Sequence, residues 1–189
     1  VGFIALSDTV KEDAAQALQS LKNAGITTVM LTGDNAFTAK NVAGKLGIEK
    51  VFAGMLPNEK FETIKRLQEE GAVLFVGDGI NDAAPLKQAN VGIAMSSGAD
   101  IAKETGDVVL VKNDLESAVA TINLANETMK TIKQNLFWAF VYNAVCIPVA
   151  AGVLAPLGLM LTPVYGAAAM CFSSVTVVLN SIRLRFKQI

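Results

Sequence analysis

Two carboxylates four residues apart, Asp78 and Asp82 in Gly77-Asp78-Gly79-Ile80-Asn81-Asp82, suit a hard cation such as Mg²⁺. They follow Val73–Val76, a short apolar run that reads as a fully buried strand. In open parallel sheets ligands sit beyond the carboxyl ends of the strands, and glycines there allow close approach. Asn81 adds an amide that could hold a phosphate oxygen. Val29-Met30-Leu31-Thr32-Gly33-Asp34 repeats the design of an apolar run followed by a polar turn. The Thr32 hydroxyl and the backbone N–H groups of that turn could cradle a phosphoryl group, with Asp34 at the next helix start. Leu56-Pro57-Asn58-Glu59-Lys60 opens a further helix, and Lys60 offers a point charge to the same phosphate. The chemistry these residues share is phosphoryl chemistry. Each also has a structural reading: Thr32 and Asp34 as turn and cap residues, Asn58 as an N-cap, Lys60 as a solvated charge.

Positioning them requires short strands alternating with helices. Val1–Leu6, Thr27–Leu31, Lys50–Ala53, Val73–Val76, Val91–Met95 and Val108–Val111 read as strands. Val10, Ala14, Leu18 and Leu21, then Phe61, Ile64 and Leu67, recur at helical spacing, and Gly25 suits the position just past the first helix. The alternation predicts an α/β fold, a Rossmann-like doubly wound parallel sheet over residues 1–114. Asp8 follows the first strand, where it could brace the entry to the domain.

Residues 115–134 predict a more polar linking helix, and residues 135–189 a transmembrane helical hairpin with a short cytoplasmic tail. The composition explains the division. Apolar residues make up 52% of the 189 and charged residues 17%, and no charge occurs between Lys133 and Arg183. Leu136–Leu154 and the run from about Leu159 to Ile182 are each long enough to span a bilayer, and Pro156, Gly158 and Pro163 punctuate the link. Lys130 and Lys133 precede the first run, and Arg183, Arg185 and Lys187 follow the second. The positive-inside rule then puts residues 1–134 and the C-terminus in the cytoplasm of a multi-pass protein of a plasma or inner membrane.

A net charge of −1 without a basic, aromatic-interleaved patch argues against nucleic acid as a partner. The absence of histidine excludes imidazole chemistry, and Cys146 and Cys171 lack zinc-site spacing. Val1 opens the chain without Met or signal peptide, as a segment of something longer would. Within the spans, Tyr142 and Asn143 are polar, and Met170 and Ser174 lie four apart on one helical face beside Ser173. A thioether suits Cu⁺, whereas hard cations want carboxylates, which both spans lack. The same residues also serve as helix-packing positions.

Thr32-Gly33-Asp34, Pro57…Lys60 and Gly77…Asp82, in this order, resemble the phosphorylation domain of P-type ATPases, a haloacid-dehalogenase-like fold. The resemblance covers essentially the whole chain, the hairpin included, as the C-terminal part of such a pump. It implies a catalytic set of Thr32, Gly33, Asp34, Lys60, Asn81 and Asp82, with Thr32 on the phosphoryl group and Lys60 stabilising its charge. It implies Mg²⁺ on Asp78 and Asp82, and ATP held mainly by a nucleotide-binding domain outside this chain. The Tyr142-Asn143 pair and the Met170…Ser173-Ser174 pattern resemble the copper-transporting branch, in which Tyr142, Asn143, Met170 and Ser174 would line a Cu⁺ or Ag⁺ path. The partners implied are that soft ion, the lipid bilayer and the N-terminal portion of the same pump.

The sequence departs from the family in several places. The phosphoacceptor segment Asp-Lys-Thr-Gly-Thr, the Thr-Gly-Glu loop and the Cys-Pro-Cys motif are absent from these 189 residues, so the chain alone is expected to be inactive. Pro85 stands one place later than in the family pattern, and Asn90 stands where an acid is common. Three alternatives remain open: a pump for another cation, a membrane-anchored phosphatase using Asp8, and a non-catalytic truncated membrane regulator.

Overall fold

A computed structural model describes residues 10–78, 80–95, 104–158 and 162–186. The expected strand Val1–Leu6, and Asp8 and Gly79 with it, lie outside the described residues. The chain divides into two compact units, Val1–Ala120 and Thr121–Ile189.

In the first unit helices and parallel strands alternate as the periodicity predicts. The order is α1 (Glu12–Asn23), β1 (Val29–Leu31), α2 (Ala36–Leu46), β2 (Lys50–Phe52), α3 (Pro57–Glu70) and β3 (Leu74–Gly77). A 3-10 turn at Ile80–Asp82 leads into α4 (Ala83–Gln88), β4 (Val91–Ala94) and β5 (Val108–Val109). Among the described residues the strands form two parallel sets, β1 with β2 and β3 with β4 and β5. Helix α1 ends as its glycine predicts. Gly25 takes φ +77°, its N–H reaches the Lys22 carbonyl at 3.0 Å, and the Ile26 N–H reaches Leu21 at 3.0 Å.

The second sheet packs apolar side chains on both faces, but Val73–Val76 is not the fully buried strand its apolar run suggests. Leu74 is exposed and Val73, Phe75 and Val76 are half-buried, because only the later part of the sheet is covered. Leu86 of α4 packs with Ala94 and Phe75 on one face. On the other, Ile93 and Leu110 pack with Ala118, flanked by Val76, Met95 and Val108. Ala118 belongs to α5, Leu115–Ala150, a single helix of 36 residues. It runs without a break across the expected boundary at 134/135.

The second unit holds the rest of α5, a 3-10 turn at Ala155–Leu157, and α6 (Pro163–Leu184). Among the described residues, only Val164–Leu184 of α6 is long and apolar enough to cross a membrane on its own. The expected first span, Leu136–Leu154, differs for a local reason. Helix α5 ends at Ala150 and residues 151–154 form a turn with Gly152 at φ +86°, so the helical part of that run is Leu136–Ala150 and the charge-free part of α5 is the seventeen residues Gln134–Ala150.

Candidate functional site

The residues with phosphoryl chemistry sit at strand ends and helix starts, and backbone hydrogen bonds tie their loops together. After β1, the Thr32 N–H donates to the Phe52 carbonyl at 2.9 Å, and the Met55 N–H donates back to Thr32 at 3.0 Å. The Gly54 N–H donates to the Asp34 carbonyl at 2.7 Å, with Gly54 itself at φ +67°. The Thr32-Gly33-Asp34 turn is thereby fastened to the turn that launches α3. Thr32 Oγ1 accepts the Asp34 N–H at 3.1 Å, which leaves its O–H free to donate to a phosphoryl oxygen. A Cβ at Gly33 would meet only the Met55 carbonyl oxygen, at an ordinary 3.5 Å, so packing does not demand glycine there.

Helix α3 begins two residues earlier than an Asn58 cap would place it. Leu56 is the N-cap residue and Pro57 occupies the first helical position, where its missing N–H is lost anyway. Glu59 Oε2 reaches back to the Leu56 N–H at 2.8 Å, and Asn58 lies inside the first turn. Asp34 likewise falls one residue short of capping α2. Asn35 does so, its Oδ1 accepting the Thr38 N–H at 2.9 Å.

One turn into α3, Lys60 meets Asp82. Lys60 Nζ donates to Asp82 Oδ1 at 2.7 Å, with the two side chains only 14% and 11% exposed. Asp82 stands at the N-cap position of α4, yet its carboxylate turns away from the helix toward Lys60. Gly77 makes the room. A Cβ on Gly77 would fall 2.9 Å from Asp82 Cβ, 3.0 Å from Oδ2 and 2.8 Å from Phe75 Cε1. Asp82 is buried, whereas Asp78 and Asn81 are exposed. The pairing of Lys60 with Asp82 brings two of the expected site residues into contact. Among the described residues no hydrogen bond joins that pair to the Thr32 turn, to Asp78 or to Asn81.

The oxygen donors fit Mg²⁺ in part. Asp78 is an exposed hard ligand at the end of β3, and Asp82 Oδ2 is not the oxygen bonded to Lys60. No group of three or more His, Cys, Asp or Glu side chains gathers among the described residues. Mg²⁺ is usually held by one or two carboxylates, with waters and phosphate oxygens completing the shell, and Asp78 and Asp82 could supply the carboxylates.

The departures from the family pattern have local explanations. Pro85 is fully buried at the third position of α4, where a helix leaves its N–H groups unpaired. Asn90 Oδ1 accepts the Val73 N–H at 2.9 Å and the Gln68 Nε2 at 3.1 Å, clasping the start of β3 to the start of β4. It sits at the opposite end of the strands from Asp78.

In the second unit the half-buried positions trace two seams, Ala139, Tyr142, Cys146 and Val149 on α5 and Gly166, Ala169, Ser173 and Val177 on α6. Asn143, Met170 and Ser174 are exposed. The Asn143 amide donates to the Ala139 carbonyl at 2.9 Å, and Ser174 Oγ to the Met170 carbonyl at 3.2 Å, each within its own helix. Tyr142 lies in the seam; Asn143, Met170 and Ser174 do not. The sequence reading passed over Asn135 and Asn180, which hydrogen-bond to each other across the two helices. Two amides in otherwise apolar helices were the available signal.

Two models of the haloacid dehalogenase-like hydrolase family match, one over residues 1–90 and the other over residues 60–122. The copper-transporting ATPase 1 of Mus musculus is 52% identical over 185 residues, covering 97% of this chain and 12% of that protein. The silver exporting P-type ATPase of Salmonella typhimurium is 52% identical over 186 residues, 97% of this chain and 23% of that protein. Over residues 1–122 the chain is thus similar to the haloacid dehalogenase-like hydrolases, and over nearly its whole length to P-type ATPases. It spans less than a quarter of the length of these relatives. A crystal structure of a zinc-transporting PIB-type ATPase in the E2.Pi state superposes with a TM-score of 0.84 at 38% identity, over 94% of this chain and 28% of that one. The chain thus carries a haloacid-dehalogenase-like parallel-sheet domain followed by two long helices.

Proposed function

We propose that this chain is the C-terminal part of a pump that exports Cu⁺ or Ag⁺ across a plasma or inner membrane, powered by ATP through an aspartyl-phosphate. In this reading residues 1–114 complete the cytoplasmic phosphorylation domain, 115–134 link it to the bilayer, and 135–189 form the membrane hairpin and tail. The phosphorylated aspartate and most of the ATP site come from the N-terminal portion of the pump, and the chain alone forms no phosphoenzyme.

Phosphoryl transfer needs positioning and charge stabilisation more than covalent help from side chains. Thr32 donates its O–H to a phosphoryl oxygen, and the Gly33 and Asp34 backbone lets that oxygen come close. Lys60 keeps two N–H donors after serving Asp82 and directs its charge at the same group. Asn81 offers an amide to the phosphate. Mg²⁺ would be held by Asp78, with Asp82 in support, and when bound it neutralises charge on the transferring group.

The observation that carries the choice of ion is the absence of Asp, Glu, Lys and Arg from Gln134 to Ile182. Carboxylate coordination of a hard ion is not available from these helices, while Met170 and the hydroxyl and amide of Tyr142, Asn143 and Ser174 are. The relatives named for copper and silver transport agree with a soft ion. The likeness to a zinc-transporting structure supports a second reading, transport of Zn²⁺.

The test replaces the matching segment of the silver exporting relative with this chain and measures ATP hydrolysis with Cu⁺, Ag⁺ or Zn²⁺. Stimulation by Cu⁺ and Ag⁺, weakened by Met170→Ala, is the expected result; stimulation by Zn²⁺ alone rejects it. Acid-stable ³²P labelling of the isolated chain by ATP would reject the claim that it forms no phosphoenzyme.

A further inference from the structure

The two long helices are fastened to each other by side-chain amides at one level. Asn180 Nδ2 donates to Asn135 Oδ1 at 2.8 Å and to Gln134 Oε1 at 3.3 Å. Asn135 Nδ2 donates in turn to Ser181 Oγ at 2.9 Å, and Ser181 Oγ donates to the Val177 carbonyl at 2.9 Å. Beyond this level the seam residues named above are small or apolar apart from Tyr142, from Ala139 to Val149 on α5 and from Val177 back to Gly166 on α6. Small residues permit close approach of helices in a bilayer, but they pack comparably in registers one turn apart. Between apolar helices a buried amide pair is the feature that distinguishes one register from the next.

We propose that Asn135, Asn180 and Ser181 are a positioning clamp that sets the register of α5 against α6. Tyr142 lies seven residues beyond Asn135, and Ser174 seven residues before Ser181. At 1.5 Å per residue each is about 10.5 Å from the clamp, so the antiparallel helices bring them to the same depth. Asn143 and Ser173 share the next level. A slip of one turn would separate these pairs by about 5.4 Å, too far for groups meant to meet one ion. The clamp thereby acts on the transported-ion residues through register, without touching the ion. This consequence rests on the proposed transport function; the clamp itself does not.

The clamp is tested first on the full chain in membranes, with Cys146→Ser and Cys171→Ser as background. Cysteines introduced by Ala139→Cys and Val177→Cys lie four residues from Asn135 and Ser181, both in the seam. A short cross-linker should join them efficiently, read by mass spectrometry of the digest. Adding Asn135→Leu and Asn180→Leu should lower that yield at least about threefold, and raise the yield of Ala139→Cys with Ser173→Cys, one turn away. Ser181→Ala, which removes a hydrogen bond with little change in volume, should shift the same ratio less, and Ser181→Thr should restore it. Unchanged yields in all variants would overturn the clamp.

In the silver-pump chimaera, the Ag⁺ concentration for half-maximal ATPase stimulation should rise about three- to tenfold in Asn180→Leu, the scale of one interhelical hydrogen bond. Phosphorylation by inorganic phosphate without metal should stay unchanged. Equal loss of both would mean a merely structural role and overturn the positioning claim. If the parent chimaera ignores Ag⁺, the transport reading fails while the cross-linking pattern still decides the clamp.

Discussion

Removing either partner of the Lys60–Asp82 pair should destabilise the first unit far more than removing both. At 2.7 Å the gross attraction is about 6 kcal/mol with an effective dielectric constant near 20. Desolvating two charges that are only 14% and 11% exposed offsets several kcal/mol of that, so the intact pair contributes little net stability. A single substitution is different because it leaves the other charge unpaired in a largely buried site. Lys60→Met and Asp82→Asn should each weaken the unit by about 3 kcal/mol, and the double variant by no more than either single one. The implied coupling is at least about 3 kcal/mol. Hydrogen exchange of the Phe75, Val76 and Ile93 amides, followed in the full chain at several denaturant concentrations, reads this unit directly. Asp78→Asn is the matched control: its side chain is exposed, so its effect should stay within about 0.5 kcal/mol. A coupling below about 0.5 kcal/mol, or an Asp78→Asn effect equal to that of Asp82→Asn, would refute the reasoning.

Gly77→Ala should displace the Asp82 carboxylate and lower the stability of the first unit by about 1–3 kcal/mol, with loss of the Lys60 contact visible as a changed Lys60 ammonium NMR signal. Gly92→Ala should be worse, because its Cβ would fall 2.4 Å from the Leu86 carbonyl oxygen and the α4 backbone itself must move. An effect smaller than that of Gly77→Ala in the same denaturation assay would contradict this. Asn90→Asp keeps the acceptor for the Val73 N–H and should be tolerated, whereas Asn90→Ala should lose about 1 kcal/mol and speed exchange of the Val73 amide. At the start of α5, the hydroxyl and N–H of Ser117 donate to Asp114 and hold its carboxyl below the ordinary 3.8, aided by Lys112 and Lys11. A carboxyl whose native pKa is depressed stabilises the fold above its unfolded value and loses that contribution as pH falls through the native one. An NMR titration of Asp114 should therefore find a midpoint below 3.8, and a midpoint at or above it would reject the cap.

The strands were legible because packing on two faces favours apolar runs such as Val73–Val76, even though that run is only partly buried, and the end of α1 because Gly25 takes a left-handed conformation. Helix starts were less so. Pro57 moves the start of α3 ahead of Asn58, and Asn35 rather than Asp34 offers the oxygen that caps α2. Composition marked a boundary near residue 134, but a change of solvent is no reason for a helix to stop, and α5 passes through it. The uncharged run to Leu154 extends past the helix, since hydropathy does not separate the helix ending at Ala150 from the turn around Gly152.

The candidate site shows the same division between composition and geometry. From sequence, Asp78 and Asp82 are two equivalent carboxylates on one short segment, and their spacing alone assigns both to a cation. The fold makes them unequal through a residue 22 positions upstream: Lys60 takes Asp82 Oδ1, while Gly77 yields the space against Oδ2. Asp78, one residue past β3, remains exposed. In the proposed reading a cation at the strand ends would meet Asp78 as the exposed carboxylate, while Asp82 is held by the ammonium group of Lys60. Spacing proposes the chemistry, and the distribution of labour between the two acids depends on a tertiary contact that no local pattern encodes.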